Sequence, residues 1–238
     1  MGLEHSPSIV MNGLVLALDA GNLRSYSGSG NTWYDLSSNL NDANKVNSPN
    51  YITTAGGGFT FDGLGTNYFN LDSKASLVNV NAGTVGGWIR FNDLDSDLTN
   101  YVFVSYGGNA YGGGFILEHA GLGGTSLRLE LVTFGGSISG APRANIDKST
   151  ALPYQGQDIY MIGTWTTSEV KLYINGVLLS TVSTNAALPS RSILRISNEG
   201  NRSRGVNGTV YNCSIYNRAL TAAEVRQNYN ATKKRYGL

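Results

Sequence analysis

Short segments of alternating apolar and polar residues, each followed by glycine or asparagine, run through almost the whole chain. In one of them Leu127, Leu129 and Leu131 fall on one side and Arg128 and Glu130 on the other, which is the period of a half-buried strand. The predicted strands cover residues 14–18, 59–62, 68–71, 84–91, 101–106, 114–118, 127–134, 159–166, 170–174, 177–182, 193–197 and 210–216. Many short strands at this spacing are typical of an antiparallel β-sandwich, so the sequence predicts an all-β fold.

Two local signals place a turn and a helix within this pattern. Asn175 and Gly176 separate two alternating segments and predict a type I′ hairpin turn. Thr221 and Glu224 have the spacing of a capping box, in which each residue satisfies the other's backbone N–H group. A short C-terminal helix is therefore predicted over about residues 221–232.

The length and composition fit one large domain. The chain has 238 residues, of which 31 are glycine, and only 14% are charged, so it is a turn-rich and lightly charged polypeptide. We predict an N-terminal arm over residues 1–12 and a single jelly-roll sandwich over residues 13–238, which includes the helix.

The charge and the apolar runs exclude two classes of partner. The formal net charge is +1, and the only basic cluster lies at the tail, so nucleic acid is not expected to be a main partner. No stretch approaches the roughly 20 apolar residues of a membrane span, and no signal peptide is recognisable at the start. Cys213 is the single cysteine and is predicted to be a small core residue.

The sequence contains no pattern of a known catalytic site. His5 and His119 lie in no metal-binding motif, and no strand carries the paired acids of a glucanase. A loop with Asp93, Asp95 and Asp97 lacks the glycine and the glutamate of a calcium loop, and we interpret it as solvated. We therefore predict no catalytic residues and a protein that is not an enzyme.

Loops rich in aromatic and amide side chains are the candidate ligand site. Trp33, Tyr34, Tyr106, Asn109 and Tyr111 offer flat rings for stacking on sugar faces and amides for hydrogen bonds to hydroxyl groups. The alternative interpretation of the same residues is loop packing and turn chemistry.

Several motifs occur in a fixed order: NGLVLALDAGN near the start, then GNTWYDLSSN, FTFDG, VGGWIRF, LYING and finally IYNRALTAAEV. Together they resemble the laminin G-like, concanavalin A-like lectin/glucanase jelly roll, over about residues 14–229. The two ends of the chain, NGLVLALDAGN and NYNATKKRYGL, are similar to jelly-roll modules in virion proteins of tailed bacteriophages.

The resemblance implies two antiparallel sheets with ligand loops at one rim, where many members bind calcium. Tyr211 and Asn212 stand where the family often carries an acidic residue, so we predict no cofactor. If calcium is retained, the candidate ligands are Asp19, Asp35 and Asp62.

Three functions follow from these observations. The first is a structural or accessory virion protein of a tailed phage, either a capsid decoration or part of a head or tail fibre. It would be made in the host cytoplasm, present in several copies or as a homo-oligomer, and bound to other virion proteins through the segment from Met1 to Met11. The second is a lectin module that binds host-surface glycans, and the third is a glucanase-type glycosidase.

Overall fold

A computed structural model describes residues 7–95, 100–108, 113–120, 128–134, 140–200 and 204–238. These residues form two β-sheets, in which every strand pair is antiparallel. The nine-stranded sheet contains β1 (Leu14–Asp19), β4 (Asn50–Ile52), β5 (Gly58–Asp62), β7 (Gly83–Phe91), β12 (Asp158–Trp165), β13 (Glu169–Ile174), β14 (Val177–Ser183), β16 (Asn207–Val210) and β17 (Asn212–Tyr216). The eight-stranded sheet contains β2 (Thr32–Trp33), β3 (Ala43–Val46), β6 (Tyr68–Asn70), β8 (Tyr101–Gly108), β9 (Gly113–Ala120), β10 (Arg128–Phe134), β11 (Arg143–Asp147) and β15 (Leu194–Ile196).

Short helices complete the described part of the chain. The α-helices are α1 (Lys148–Ala151) and α2 (Ala222–Thr232), and the 3₁₀ turns are Thr54–Gly56, Asp72–Leu77, Leu152–Tyr154 and Lys233–Tyr236. No helix of the described ranges has the length and hydropathy needed to cross a membrane.

The strand order is that of a jelly-roll sandwich. The nine-stranded sheet runs β14-β13-β12-β7-β16-β5-β4, with β17 beside β7 and β1 beside β17. The eight-stranded sheet runs β11-β10-β9-β8-β15-β6-β3-β2. Sequence neighbours are often not spatial neighbours, as when β8 pairs with β15, so the chain crosses repeatedly between the sheets. The predicted all-β, two-sheet architecture with a C-terminal helix is confirmed.

The core lies between the inner faces of the two sheets. At its centre the Trp33 ring packs against Phe59 and Phe69, with ring centroids 4.9 and 4.8 Å apart. Cys213 is also buried in this core, as predicted.

A second apolar layer covers the outer face of the nine-stranded sheet. Leu220 and Val225 from the α2 region pack there with Trp88, Tyr160 and other rings. This layer explains why β12 is almost continuously buried: one side of the strand faces the core and the other faces α2.

The local signals in the sequence are confirmed. Asn175 and Gly176 have φ angles of 51° and 78°, as a type I′ turn requires. The Thr221 hydroxyl accepts a hydrogen bond from the Glu224 amide, and the Glu224 carboxylate accepts one from the Thr221 amide at 2.9 Å.

The structure differs from the predicted strands at two kinds of position. The segment predicted over residues 210–216 divides at Tyr211, because β16 pairs with β5 whereas β17 pairs with β1. The strands β2, β3, β4 and β11 were not predicted, since they are only two to five residues long and show little apolar alternation.

The described part of the predicted N-terminal arm is packed on the domain itself. Val10 donates its amide hydrogen to Asn228 Oδ1 at 2.7 Å and accepts a hydrogen bond from the Tyr216 hydroxyl at 3.0 Å. The Ser8 carbonyl accepts one from the Gln227 side chain at 2.7 Å. Residues 8–10 are therefore fixed to β17 and α2 rather than forming a free arm.

Candidate functional site

Two of the predicted ligand-binding rings are closed to any ligand. Trp33 is 0% exposed in the sandwich core, and Tyr106 is 1% exposed. The Tyr106 hydroxyl accepts a hydrogen bond from the Arg191 amide at 2.7 Å. The prediction that these rings stack on a sugar is wrong, because both side chains point between the sheets. The alternative interpretation, packing, holds for them, but in the core strands β2 and β8 and not in loops.

The other predicted residues have different positions. Tyr34 is 52% exposed, so its ring remains open to solvent. Asn109 and Tyr111 lie outside the described residues.

The three candidate calcium ligands do not converge. The Asp35 carboxylate accepts hydrogen bonds from the amides of Ala17, Ser37 and Asn41, and so organises its own loop. Asp19 is paired with Arg235, and Asp62 accepts from a neighbouring amide. Within the described ranges, no three acidic, histidine or cysteine side chains form a group that could hold a metal ion.

A row of polar side chains crosses the outer face of the eight-stranded sheet. Asn44 of β3 lies opposite Asn70 of β6, which lies opposite Arg195 of β15, which lies opposite Ser105 of β8. The alternate residues on these strands, such as Phe69 and Leu194, point into the core. We call Asn44, Asn70, Arg195 and Ser105 the polar row.

The polar row is open at one end and covered at the other. Asn44 is exposed and Asn70 and Arg195 are half-buried, whereas Ser105 is buried. The Ser105 hydroxyl donates to the Asn198 carbonyl at 2.6 Å. The accessible half of this face is therefore formed by β3, β6 and β15.

The guanidinium of Arg195 is rigidly held in the polar row. It contacts the Asp72 carboxylate with both Nε and Nη2, the latter at 2.7 Å, and donates from Nη1 to Asn198 Oδ1 and to the Gly200 carbonyl. It also lies 4.9 Å from the centroid of the Tyr68 ring. Bidentate pairing and stacking of this kind fix the direction of the guanidinium before a ligand arrives.

A carboxylate cluster occupies the covered half of the same face. Glu118 of β9 and Glu130 of β10 are direct cross-strand neighbours and are 1% and 0% exposed. Glu130 accepts a hydrogen bond from Arg143 at 2.5 Å, and Glu199 accepts one from Arg204 at 3.0 Å. We call Glu118, Glu130 and Glu199 the carboxylate cluster.

Glu118 is the least compensated member of the carboxylate cluster. Its Oε2 accepts a hydrogen bond from Asn100 at 3.1 Å, and its Oε1 has no hydrogen-bond partner among the described residues. Burial, together with the charges of Glu130 and Glu199, raises the pKa of Glu118 to about 8. Glu118 is therefore largely protonated at neutral pH and can release or accept a proton there.

The sequence signal for this cluster was present but incomplete. Glu118 and Glu130 each occupy the polar position of an alternating strand, which usually faces water. Only the register of β9 against β10 brings the two carboxylates together, and that register cannot be read from either strand alone.

The comparisons with known proteins agree with this architecture. The family model described as the concanavalin A-like lectin/glucanases superfamily matches residues 62–226, more than half of the chain. Comparison by sequence with curated proteins gave no match.

Several solved structures have a similar fold. The binding domain of botulinum neurotoxin DC in complex with SialylT has a TM-score of 0.68 at 13% identity, over 94% of this chain and 52% of that one. Domain 4 of AbnA, a GH43 extracellular arabinanase from Geobacillus stearothermophilus, in complex with arabinotriose, has a TM-score of 0.63 at 18% identity, over 92% of this chain and 100% of that one. A Trypanosoma rangeli sialidase in complex with sialic acid has a TM-score of 0.63 at 17% identity, over 98% of this chain and 36% of that one.

The chain spans about half the length of the botulinum binding domains that it matches. At these identities the solved structures support the fold, and the family model supplies the assignment. The chain belongs to the concanavalin A-like lectin/glucanase superfamily.

Proposed function

We propose that this domain binds carbohydrate through the open half of the outer face of its eight-stranded sheet. The observation that carries the proposal is the polar row, in which Asn44, Asn70 and Arg195 stand side by side on three neighbouring strands. Neighbouring strands are about 4.8 Å apart, so the three side chains extend over roughly 10 Å, the scale of a short oligosaccharide.

The chemistry of the row suits hydroxyl groups. The Asn44 amide offers donors and an acceptor, whereas Asn70 offers mainly its donors, because its Oδ1 already accepts a hydrogen bond from the Asp72 amide at 2.7 Å. A sugar hydroxyl needs both a donor and an acceptor, and the two amides together supply them. Because Asp72 and Tyr68 already orient Arg195, little conformational entropy is lost when a ligand binds beside it. Three of the similar structures were solved with sugars or sugar derivatives, which supports a glycan as the ligand class.

The direct test is a glycan array probed with the full chain and with matched variants. We expect at least one oligosaccharide to bind, and Asn44→Ala and Asn70→Ala each to weaken that binding by about tenfold, the effect of losing one or two hydrogen bonds. Asn50→Ala, which removes an exposed asparagine from β4 on the other sheet, is the control and should bind normally. No binding to any glycan at millimolar concentration would overturn the proposal.

We further propose that the domain acts in the virion of a tailed phage as a non-enzymatic structural or accessory protein. The similarity of both chain ends to phage jelly-roll modules supports this role, and so does a sandwich with one open polar face. Several copies on a particle would turn weak individual glycan contacts into firm attachment. Mass spectrometry and immunogold labelling of purified particles test it: we expect the protein on the particle surface, and its absence from infectious particles would contradict the role.

The carboxylate cluster supports one alternative, a glycoside hydrolase. Glu118 and Glu130 are direct cross-strand neighbours, so their Cβ atoms are about 5 Å apart. Retaining glycosidases hold their two carboxyl groups about 5 to 5.5 Å apart. Because Glu118 and Glu130 are 1% and 0% exposed, their cover would have to open before a sugar could reach them. The raised pKa of Glu118 is the property of a general acid. Release of reducing sugar from β-glucans that is abolished by Glu118→Gln would favour this alternative over pure binding.

A further inference from the structure

A second open surface lies on the other side of the molecule, between the β13–β14 hairpin and α2. It is a groove of about 530 Å³ whose lining combines apolar side chains, amides and two cations. Its residues are Asn175, Gly176, Val177, Leu178, Ala222, Ala223, Arg226, Tyr229, Asn230 and Lys233. We call it the hairpin groove.

The apolar part of the hairpin groove is unusually exposed. Val177 and Leu178 are 58% and 42% exposed, and they belong to the few large apolar side chains of the described residues that face solvent to this extent. Ala222 and Ala223 on the facing helix are exposed as well. Adjacent apolar side chains at a surface mark an interaction site more often than isolated ones do.

The walls of the groove are firmly held, so its shape exists before a partner binds. The Tyr229 ring stacks on Trp88 with centroids 5.7 Å apart, and a Cβ atom on Gly176 would lie only 3.2 Å from Tyr229. The hairpin tip is also fixed by the Asn175 side chain, which accepts a hydrogen bond from the Tyr160 amide at 2.9 Å.

The charged side chains that line the groove are positive. Arg226 and Lys233 line it, and among the described residues no acidic side chain does. Arg226 takes part in none of the ion pairs formed within the described ranges, and the Lys233 ammonium lies 5.3 Å from the centroid of the Tyr229 ring. Cations without carboxylate partners beside an apolar floor complement a segment that carries apolar side chains flanked by acids.

We propose that the hairpin groove docks an acidic segment of a partner protein, with apolar side chains on Val177 and Leu178 and carboxylates on Arg226 and Lys233. The groove lies by the outer face of the nine-stranded sheet, whereas the polar row lies on the opposite outer face. A partner held in the groove therefore leaves the proposed glycan face free, and the docking does not depend on glycan binding.

The test uses the full ¹⁵N-labelled chain and three synthetic hexapeptides: Glu-Glu-Leu-Leu-Glu-Glu, Lys-Lys-Leu-Leu-Lys-Lys and Glu-Glu-Ser-Ser-Glu-Glu. We expect the first peptide alone to give saturable chemical-shift changes, confined to residues 175–178 and the exposed side of α2. Arg226→Glu should weaken this binding by about tenfold, because an attraction becomes a repulsion. Arg24→Glu, the same change at an exposed site away from the groove, should leave it within twofold.

Three results would overturn the proposal. One is the absence of shifts at millimolar peptide, and another is equal binding of the acidic and basic peptides. The third is binding of phosphatidylserine vesicles at the groove without any peptide-induced shift, which would assign it to a membrane surface. Heteronuclear spectra of each variant without peptide verify that the fold is retained.

Discussion

The two outer faces of this sandwich carry different kinds of side chain, aromatic and apolar on one and polar or charged on the other. On the nine-stranded sheet, α2 and the C-terminal turn cover the face with stacked rings: Trp88 is 0% exposed and lies 4.0 Å from the Tyr236 ring centroid. On the eight-stranded sheet, the face carries amides, arginines and carboxylates, and part of it is open. The first face is closed by burial of apolar surface, whereas the second retains groups that can exchange hydrogen bonds with a ligand.

The carboxylates of the two faces also differ, because their pKa values are shifted in opposite directions. Glu224, at the start of α2, is bound bidentately by Arg218, whose hydrogen bonds lower the pKa of Glu224 to about 2. Glu118 has an amide partner and two carboxylates near it, and its pKa is raised to about 8. The Glu224 carboxylate thus stabilises α2, whereas the Glu118 carboxylate is buried at an energetic cost, as is often found at functional sites.

The largest expected effect is on the closed face. Trp88→Ala removes a ring that packs between Tyr229 and Tyr236 and whose indole nitrogen donates to Thr232 at 2.7 Å. We expect the free energy of unfolding to fall by about 3–5 kcal/mol in urea denaturation. Trp88→Phe should lose less, because it keeps most of the apolar surface, and a loss below about 1 kcal/mol for the alanine variant would contradict the role of this layer.

The next effect is a pH dependence that arises in the covered half of the outer face of the eight-stranded sheet. Between its ordinary pKa of 4.5 and the folded value of about 8, Glu118 keeps its proton in the folded state and loses it in the unfolded state. The free energy of unfolding therefore falls as the pH rises through this window, by at most about 1.4 kcal/mol per pH unit. Glu118→Gln should remove this decline, so the thermal midpoint of the variant should rise relative to that of the wild type as the pH is raised from 5 to 8. If the midpoints of the two proteins keep a constant difference over this range, the pKa of Glu118 is not raised.

The smallest effect has the opposite sign and lies on the closed face. Because the folded pKa of Glu224 is depressed, its contribution to stability is complete above pH 4.5 and is lost as the pH falls towards 2. Glu224→Gln should cost about 1 kcal/mol at pH 7 and almost nothing near pH 2, measured by urea denaturation at both values. A constant difference at both pH values would show that the ion pair with Arg218 contributes little.

The sequence predicted those parts of the fold that depend on near neighbours in the chain. Alternation in Leu129 and Leu131, the Asn175-Gly176 turn and the Thr221–Glu224 capping box each act within a few residues, and each is confirmed. Together with the spacing of the other alternating segments they predicted an antiparallel sandwich, and the resemblance to a known family implied the two-sheet jelly roll.

The site depends on contacts between distant segments, and there the sequence was less informative. Trp33 looked like a loop ring but belongs to the core, because β2 pairs with β3 and directs the side chain inward. Asn44 and Asn70 lie on two short strands, and they become neighbours only through the register in which these strands pair. The Arg195 side chain is oriented by Asp72, which lies more than a hundred positions earlier in the chain. Neither pairing has a local signature.

We propose that the ligand binds to the open polar face and not to the closed aromatic face. Amide hydrogen exchange of the full chain, with and without a saturating oligosaccharide chosen from the glycan array, tests it most directly. We predict slower exchange in β3, β6 and β15 and no change in α2. Slower exchange in α2 and β12 with no change in β3 and β6 would place the oligosaccharide on the aromatic face instead.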